Sequence, residues 1–76
     1  VGRCCESGDV LQDNVRMPDT LKRGDLIACL TTGAYNYSMA SNYNRIPRPA
    51  VVMLRGGSSY VAVKRETVDD ITRLDV

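Results

Sequence analysis

Residues 50–65 read Ala-Val-Val-Met-Leu-Arg-Gly-Gly-Ser-Ser-Tyr-Val-Ala-Val-Lys-Arg, and this stretch decides the fold class. An apolar run over 50–55, a turn at Gly56-Gly57-Ser58 and a second run over 59–65, where Val61 and Val63 alternate with Ala62 and Lys64, spell a β-hairpin. Glycine suits the turn because a tight reversal that follows the twist of paired strands needs positive φ. Further toward the C terminus, Thr67 with Asp70 three residues on has the pattern of a helix N-cap. Val68, Ile71 and Leu74 share one helical face, which predicts a short C-terminal helix.

On the other side of the hairpin, residues 32–49 turn to Gly, Asn, Ser, Tyr and Pro. They predict a long connection with one helical turn near 38–42, stiffened at its exit by Pro47-Arg48-Pro49. Before it, residues 25–31 are apolar on both parities, the pattern of a buried central strand, fed by the turn Leu21-Lys22-Arg23-Gly24-Asp25. Residues 10–17 follow the turn signal Ser7-Gly8-Asp9 and stop at Pro18, which cannot donate to a ladder; they read as an edge strand. The sum is one segment, 1–76, of all-β class: an antiparallel unit of four to five strands with one terminal helix. Its open edges would close on strands or a partner outside it, as in an incomplete barrel or sandwich.

Composition narrows the chemistry. Ten Lys plus Arg against nine Asp plus Glu give a net charge of +1 with no run of like charge, so no nucleic-acid or membrane-surface partner is implied. Histidine is absent, which excludes Ser-His-Asp and Cys-His machinery and His-bearing zinc sites within these residues. Cys4, Cys5 and Cys29 are odd in number and two are adjacent, a spacing that fits neither a disulfide framework nor a metal knuckle. No metal site is expected, and a reducing compartment, the cytoplasm, is. The longest apolar runs, 26–30 and 50–54, fall far short of the roughly 20 residues of a membrane span. The chain opens on Val1 and Gly2 without an initiator Met or a charged-then-apolar leader, and reads as a fragment or a cleaved product.

Two constellations could carry chemistry. Cys5-Glu6-Ser7-Gly8-Asp9 sets a thiol beside a carboxylate just before a glycine turn; a thiol is mostly protonated at neutral pH and can give up a proton or, once ionised, attack as a nucleophile. An isolated cysteine is nevertheless more often a small buried side chain. Gly33-Ala34-Tyr35, with Asn36, Tyr37, Ser38, Ser41, Asn42 and Tyr43, is dense in hydroxyl and amide groups and starts on a glycine that lets backbone approach an anion. Without a GxGxxG or Walker pattern it equally suits a packed polar loop. Arg45 and Arg48, on a proline-rich stretch, could hold a carboxylate but read more often as solvated.

Together these motifs resemble, nearly end to end, the C-terminal portion of the diaminopimelate decarboxylase family. Those are fold-type III pyridoxal-phosphate enzymes related to the ornithine and arginine decarboxylases. The residues that carry the resemblance are Cys5-Glu6-Ser7-Gly8-Asp9, 21–25 with the segment after it, Gly33-Ala34-Tyr35, Ser38-Met39-Ala40-Ser41-Asn42-Tyr43-Asn44, Pro47-Arg48-Pro49 and Arg65-Glu66-Thr67. Glu6, where the ornithine branch has Asp, and Ser41-Asn42-Tyr43-Asn44 are similar to the diaminopimelate branch.

The resemblance implies an enzyme that converts meso-2,6-diaminopimelate to L-lysine and carbon dioxide. In that family the active site lies between two subunits, completed on a (β/α)8 barrel by the partner's C-terminal β domain. It implies Cys5 as the proton donor to the carbon that loses carbon dioxide, Glu6 as a contact for the substrate's distal ammonium, and Tyr35 as a contact for substrate and for the pyridoxal 5'-phosphate. Gly33 would let the chain pass close to that cofactor. The cofactor-binding lysine and the glycine-rich phosphate loop belong to the barrel, which is absent here, and neither Lys22 nor Lys64 has the family's lysine context. These residues alone are therefore not expected to be active. Two other readings compete: a non-catalytic dimerisation module of the same family, and a decarboxylase for another basic amino acid of the ornithine or arginine type.

Overall fold

The hairpin forms where the sequence places it. In the computed structural model, which describes residues 1–76, the elements in chain order are α1 (Gly33–Met39), β1 (Val51–Arg55), β2 (Ser58–Val63) and α2 (Val68–Thr72). Short 3-10 turns lie at Ser7–Asp9 and Tyr43–Arg45. Two units are distinguished by their internal contacts, Val1–Thr31 and Thr32–Val76.

In the second unit β1 and β2 pair antiparallel. Gly56 and Gly57 make the reversal with φ of 56° and 77°, both positive, as a two-residue turn between right-twisting strands requires, and Ser58 already belongs to β2. Pairing runs Arg55↔Ser58, Leu54↔Ser59, Met53↔Tyr60 and Val52↔Val61, then shifts so that Val51 faces Val63. Ala62 is the extra residue of a β-bulge.

α2 begins at the predicted cap. Thr67 is extended, its hydroxyl accepts the Asp70 N–H at 3.3 Å, and the Asp70 carboxylate accepts the Thr67 N–H at 2.8 Å. This reciprocal pair satisfies two of the donors that a helix start leaves unpaired. Replacing Thr67 by Ala is expected to lower stability by about 1 kcal/mol. The check is the midpoint of urea unfolding, and an unmoved midpoint would show that the cap is dispensable.

The first unit departs from expectation. Residues 10–17 and 25–31 form no ladder, so two strands are present instead of four to five. A strand exists through its neighbour's hydrogen bonds. β1 and β2 satisfy each other, and neither N-terminal segment pairs with a strand. The turn between them does form: Asp25 N–H donates to the Lys22 carbonyl at 3.1 Å, the Asp25 carboxylate accepts the Lys22 N–H at 2.9 Å, and Gly24 takes φ of 97°. All the paired strand is antiparallel and both helices are short, so the mainly antiparallel β class stands.

No residue is fully buried, and 10–31 are exposed throughout. The chain presents 7518 Å² to solvent, whereas a self-contained protein of 8.4 kDa presents about 4,600 Å². Val52, Leu54, Tyr60 and Val61 on the hairpin all remain exposed. No helix is long and apolar enough to cross a membrane.

Candidate functional site

The Cys5–Glu6 segment is looped back on itself by Asp9. The Gly2 N–H donates to the Asp9 carbonyl at 2.8 Å and the Cys4 N–H to the Asp9 carboxylate at 2.6 Å, while the Asp9 N–H reaches the Glu6 carbonyl at 3.2 Å. Glu6 caps the 3-10 turn Ser7–Asp9, its carboxylate accepting the Gly8 N–H at 2.9 Å. The turn signal in the sequence is thus a real turn, built by the Asp9 and Glu6 carboxylates, which take backbone donors that regular structure would otherwise use. Within it Cys4 is half-buried and Cys5 exposed, and no disulfide joins the three cysteines. The loop leaves Cys5 exposed next to Glu6, whose carboxylate is held on its own turn.

The second group stands on α1. The helix is kinked at its start, where Ala34 is extended and Tyr35 takes φ of 72°. Left-handed backbone at a bulky aromatic costs on the order of 1–3 kcal/mol, and such positions gather at functional sites. The Ser38 hydroxyl donates to the Tyr35 carbonyl at 2.8 Å and holds the kink. Tyr35 as a whole is 78% exposed. A Cβ added at Gly33 would meet nothing within 4 Å, so this face of the turn is open. α1 and the entry to β1 border a concavity of about 390 Å³, lined mainly by apolar atoms of Gly33, Tyr37, Ala40, Pro49, Ala50 and Val52 among others. With Ala34 and Tyr35 non-helical, the helical part of α1 is about the single turn expected near 38–42, displaced toward the start of the connection.

Arg48, read from the sequence as able to hold a carboxylate but more often solvated, does hold one, that of Glu66, together with Asn42; the sequence assigned neither of those two a role. Glu66 Oε1 accepts three donors: the Arg48 N–H at 2.8 Å, the Arg48 Nε–H at 2.7 Å and the Asn42 side-chain amide at 3.0 Å. The Asn42 amide also donates to the Ile46 carbonyl at 3.1 Å. The Arg48 guanidinium lies 5.9 Å from the centre of the Tyr37 ring, within cation–π range. Arg48 is raised from its ordinary value by the Glu66 carboxylate that accepts its hydrogen bond. Glu66 is pushed down to about 2 by the Arg48 guanidinium first, then by the Asn42 amide and the Arg48 backbone N–H.

A depressed carboxyl contributes stability above its ordinary value, near 4.5, and loses it as pH falls through about 2. The carboxyl carbon of Glu66, followed by NMR in selectively labelled protein, is expected to titrate near pH 2. A midpoint near 4.5 would contradict the three-donor geometry. The other ion pair, Arg45 with Asp75 at 2.5 and 3.2 Å, is bidentate but exposed on both sides, the kind of contact that stabilises little.

The two expected site groups thus fall in different units, Cys5 and Glu6 in the first, Gly33 and Tyr35 in the second. Residues 1–33 match the family model described as pyridoxal-dependent decarboxylase, C-terminal sheet domain. The chain is 57% identical to diaminopimelate decarboxylase of Bacillus subtilis over 99% of its own length and 17% of the relative's. It is 50% identical to the protein of that name from Actinosynnema pretiosum and 47% to that of Mycobacterium tuberculosis, each over 100% of this chain and 17% of the relative. It therefore spans about a sixth of the length of the curated relatives it matches. No solved structure matches the chain at a significant level.

Proposed function

We propose that this chain, whose sequence belongs with the C-terminal sheet domains of the pyridoxal-dependent decarboxylases, serves as the C-terminal part of a diaminopimelate decarboxylase. That enzyme removes carbon dioxide from meso-2,6-diaminopimelate and leaves L-lysine. The observation that carries the reading is identity of 47–57% along essentially every residue of the chain to proteins of that name. The exposed hairpin supports it, because apolar strand surface of this extent is covered in a working protein. The cover proposed is a (β/α)8 barrel of the same polypeptide, together with a second subunit in a homodimer, in the cytoplasm.

Pyridoxal phosphate, when bound, supplies the electron sink for loss of carbon dioxide. The residues present fit one edge of it. The Tyr35 phenol is an exposed hydrogen-bond donor suited to a phosphate oxygen, on a turn whose Gly33 face is open, while Lys22 lies in a turn and Lys64 just after β2. Most of the binding then falls to the barrel. Cys5 Sγ–H gives its proton to the substrate carbon from which carbon dioxide has left, and the resulting thiolate regains a proton from solvent. Glu6, released from the Gly8 N–H, pairs with the distal ammonium of the substrate, an interaction strengthened where water is excluded. Tyr35 also bounds the substrate.

A second reading, a non-catalytic dimerisation module, draws on the same exposed surface. Both are tested by grafting this chain in place of the matched 17% of the Bacillus subtilis relative and assaying carbon dioxide release from meso-diaminopimelate, ornithine and arginine. Activity on diaminopimelate is the expected result. A chimera that dimerises and loads cofactor but releases nothing would leave the module reading in its place, and preference for ornithine or arginine would move the chain to that branch.

A further inference from the structure

The open end of the hairpin is closed by a residue pairing that the bulge selects. If the register of Arg55↔Ser58 continued unbroken, Arg48 would stand opposite Arg65, two cations facing across a strand pair, which is destabilising. The extra residue at Ala62 moves the partner on by one, and Glu66 takes the place: its N–H donates to the Arg48 carbonyl at 3.2 Å. Its carboxylate then gathers the Arg48 backbone, the Arg48 guanidinium and the Asn42 amide on a single oxygen. Asn42 and Arg48 bracket the 3-10 turn Tyr43–Arg45, so one carboxylate ties both sides of that turn to the segment between β2 and α2. The side chain of Glu66 is 18% exposed and that of Arg48 38%, so the pair is shielded where Arg45 and Asp75 are not. Beyond Arg48 lies the Tyr37 ring, on α1 and two residues from the left-handed Tyr35.

We infer that Glu66 is a positioning residue: by clasping Arg48 and Asn42 across the bulged end of the hairpin, it fixes the connection over 33–48 and so the strained turn that carries Tyr35. The consequence for cofactor binding rests on the role of Tyr35 given above; the clasp itself does not.

The test is a double-mutant cycle in the intact decarboxylase carrying this chain. Glu66→Gln keeps the shape and removes the charge, and Tyr35→Phe removes the phenol. Pyridoxal phosphate is titrated into each apoprotein and its Kd read by absorbance, with amide hydrogen exchange measured over 33–46. Glu66→Gln is expected to raise Kd about tenfold when Tyr35 is present and less than about twofold in the Tyr35→Phe background, because a residue acting through another is not additive with it. Exchange over 33–46 should quicken in both backgrounds. Where Tyr35→Phe itself weakens binding, equal effects of Glu66→Gln on Kd in the two backgrounds would overturn the inference, and so in every case would unchanged exchange. If Tyr35→Phe alone leaves Kd unmoved, the role of Tyr35 fails, and the clasp is judged on exchange: faster exchange upholds it, unchanged exchange overturns it. Should Glu66→Gln not fold, Asn42→Ala, which removes one donor of three, is expected to show the same dependence at about two- to threefold.

Discussion

Replacing Cys5 by alanine in the intact decarboxylase is expected to lower kcat by ~10²–10⁴-fold while cofactor content stays that of the unaltered protein. The size follows from the step involved. A positioned acid that delivers a proton to carbon is worth that factor, and nothing else in the exposed loop of residues 2–9 offers an S–H next to a carboxylate except half-buried Cys4. Cys4→Ala is the matched control and should alter kcat by less than about twofold, since its backbone N–H, not its thiol, makes the bond to Asp9. Undiminished turnover in Cys5→Ala would remove the proton-donor role. A loss in Cys4→Ala instead would transfer that role to the neighbouring thiol.

Tyr35→Phe is the second large effect. A hydrogen bond from a phenol to a charged phosphate contributes about 1.5–3 kcal/mol, so the variant should bind pyridoxal phosphate about ten- to a hundredfold more weakly. Phenylalanine keeps the ring and the left-handed backbone, which separates the loss of the hydroxyl from any relaxation of the turn. Equilibrium dialysis against the cofactor reads the change directly. An affinity within twofold of the unaltered protein would mean that the strained turn at Tyr35 serves packing and not the phosphate.

How far the sequence reached differs between the units for a physical reason. The hairpin and α2 were legible because their signals are local: paired glycines that must take positive φ, and a Thr and an Asp three residues apart that cap each other. The segments at 10–17 and 25–31 have strand composition, but pairing is a property of two segments, and composition does not say where the second one is. Cys5 and Tyr35 could be singled out only through the likeness of their surroundings to a known family; their residue types alone fit bland alternatives.

Glu66 escaped for a subtler cause. A glutamate at a strand-to-helix boundary normally faces water, and counting back from the glycine turn puts Arg65, not Glu66, across from Arg48. The bulge at Ala62 reverses that pairing, and a two-residue turn with an extra residue five positions later has no marker in the sequence beyond the awkwardness of two facing arginines. That awkwardness was the available signal.

A reversal made by Gly56 and Gly57 closes the shortest of loops, and hairpins of this kind zip up in about 1–10 μs. A ribosome adds about 5–20 residues each second, so Val51–Arg55 and Ser58–Val63 meet in far less time than one more amino acid takes to arrive. Residues 10–17 and 25–31, though made earlier, form no ladder within this chain. Within this chain the portion translated late is the portion that settles early, and it does so with Val52, Leu54 and Val61 bare. A hairpin bare in this way is an edge on which another chain can add a strand, so docking onto its proposed cover also removes a site for aggregation.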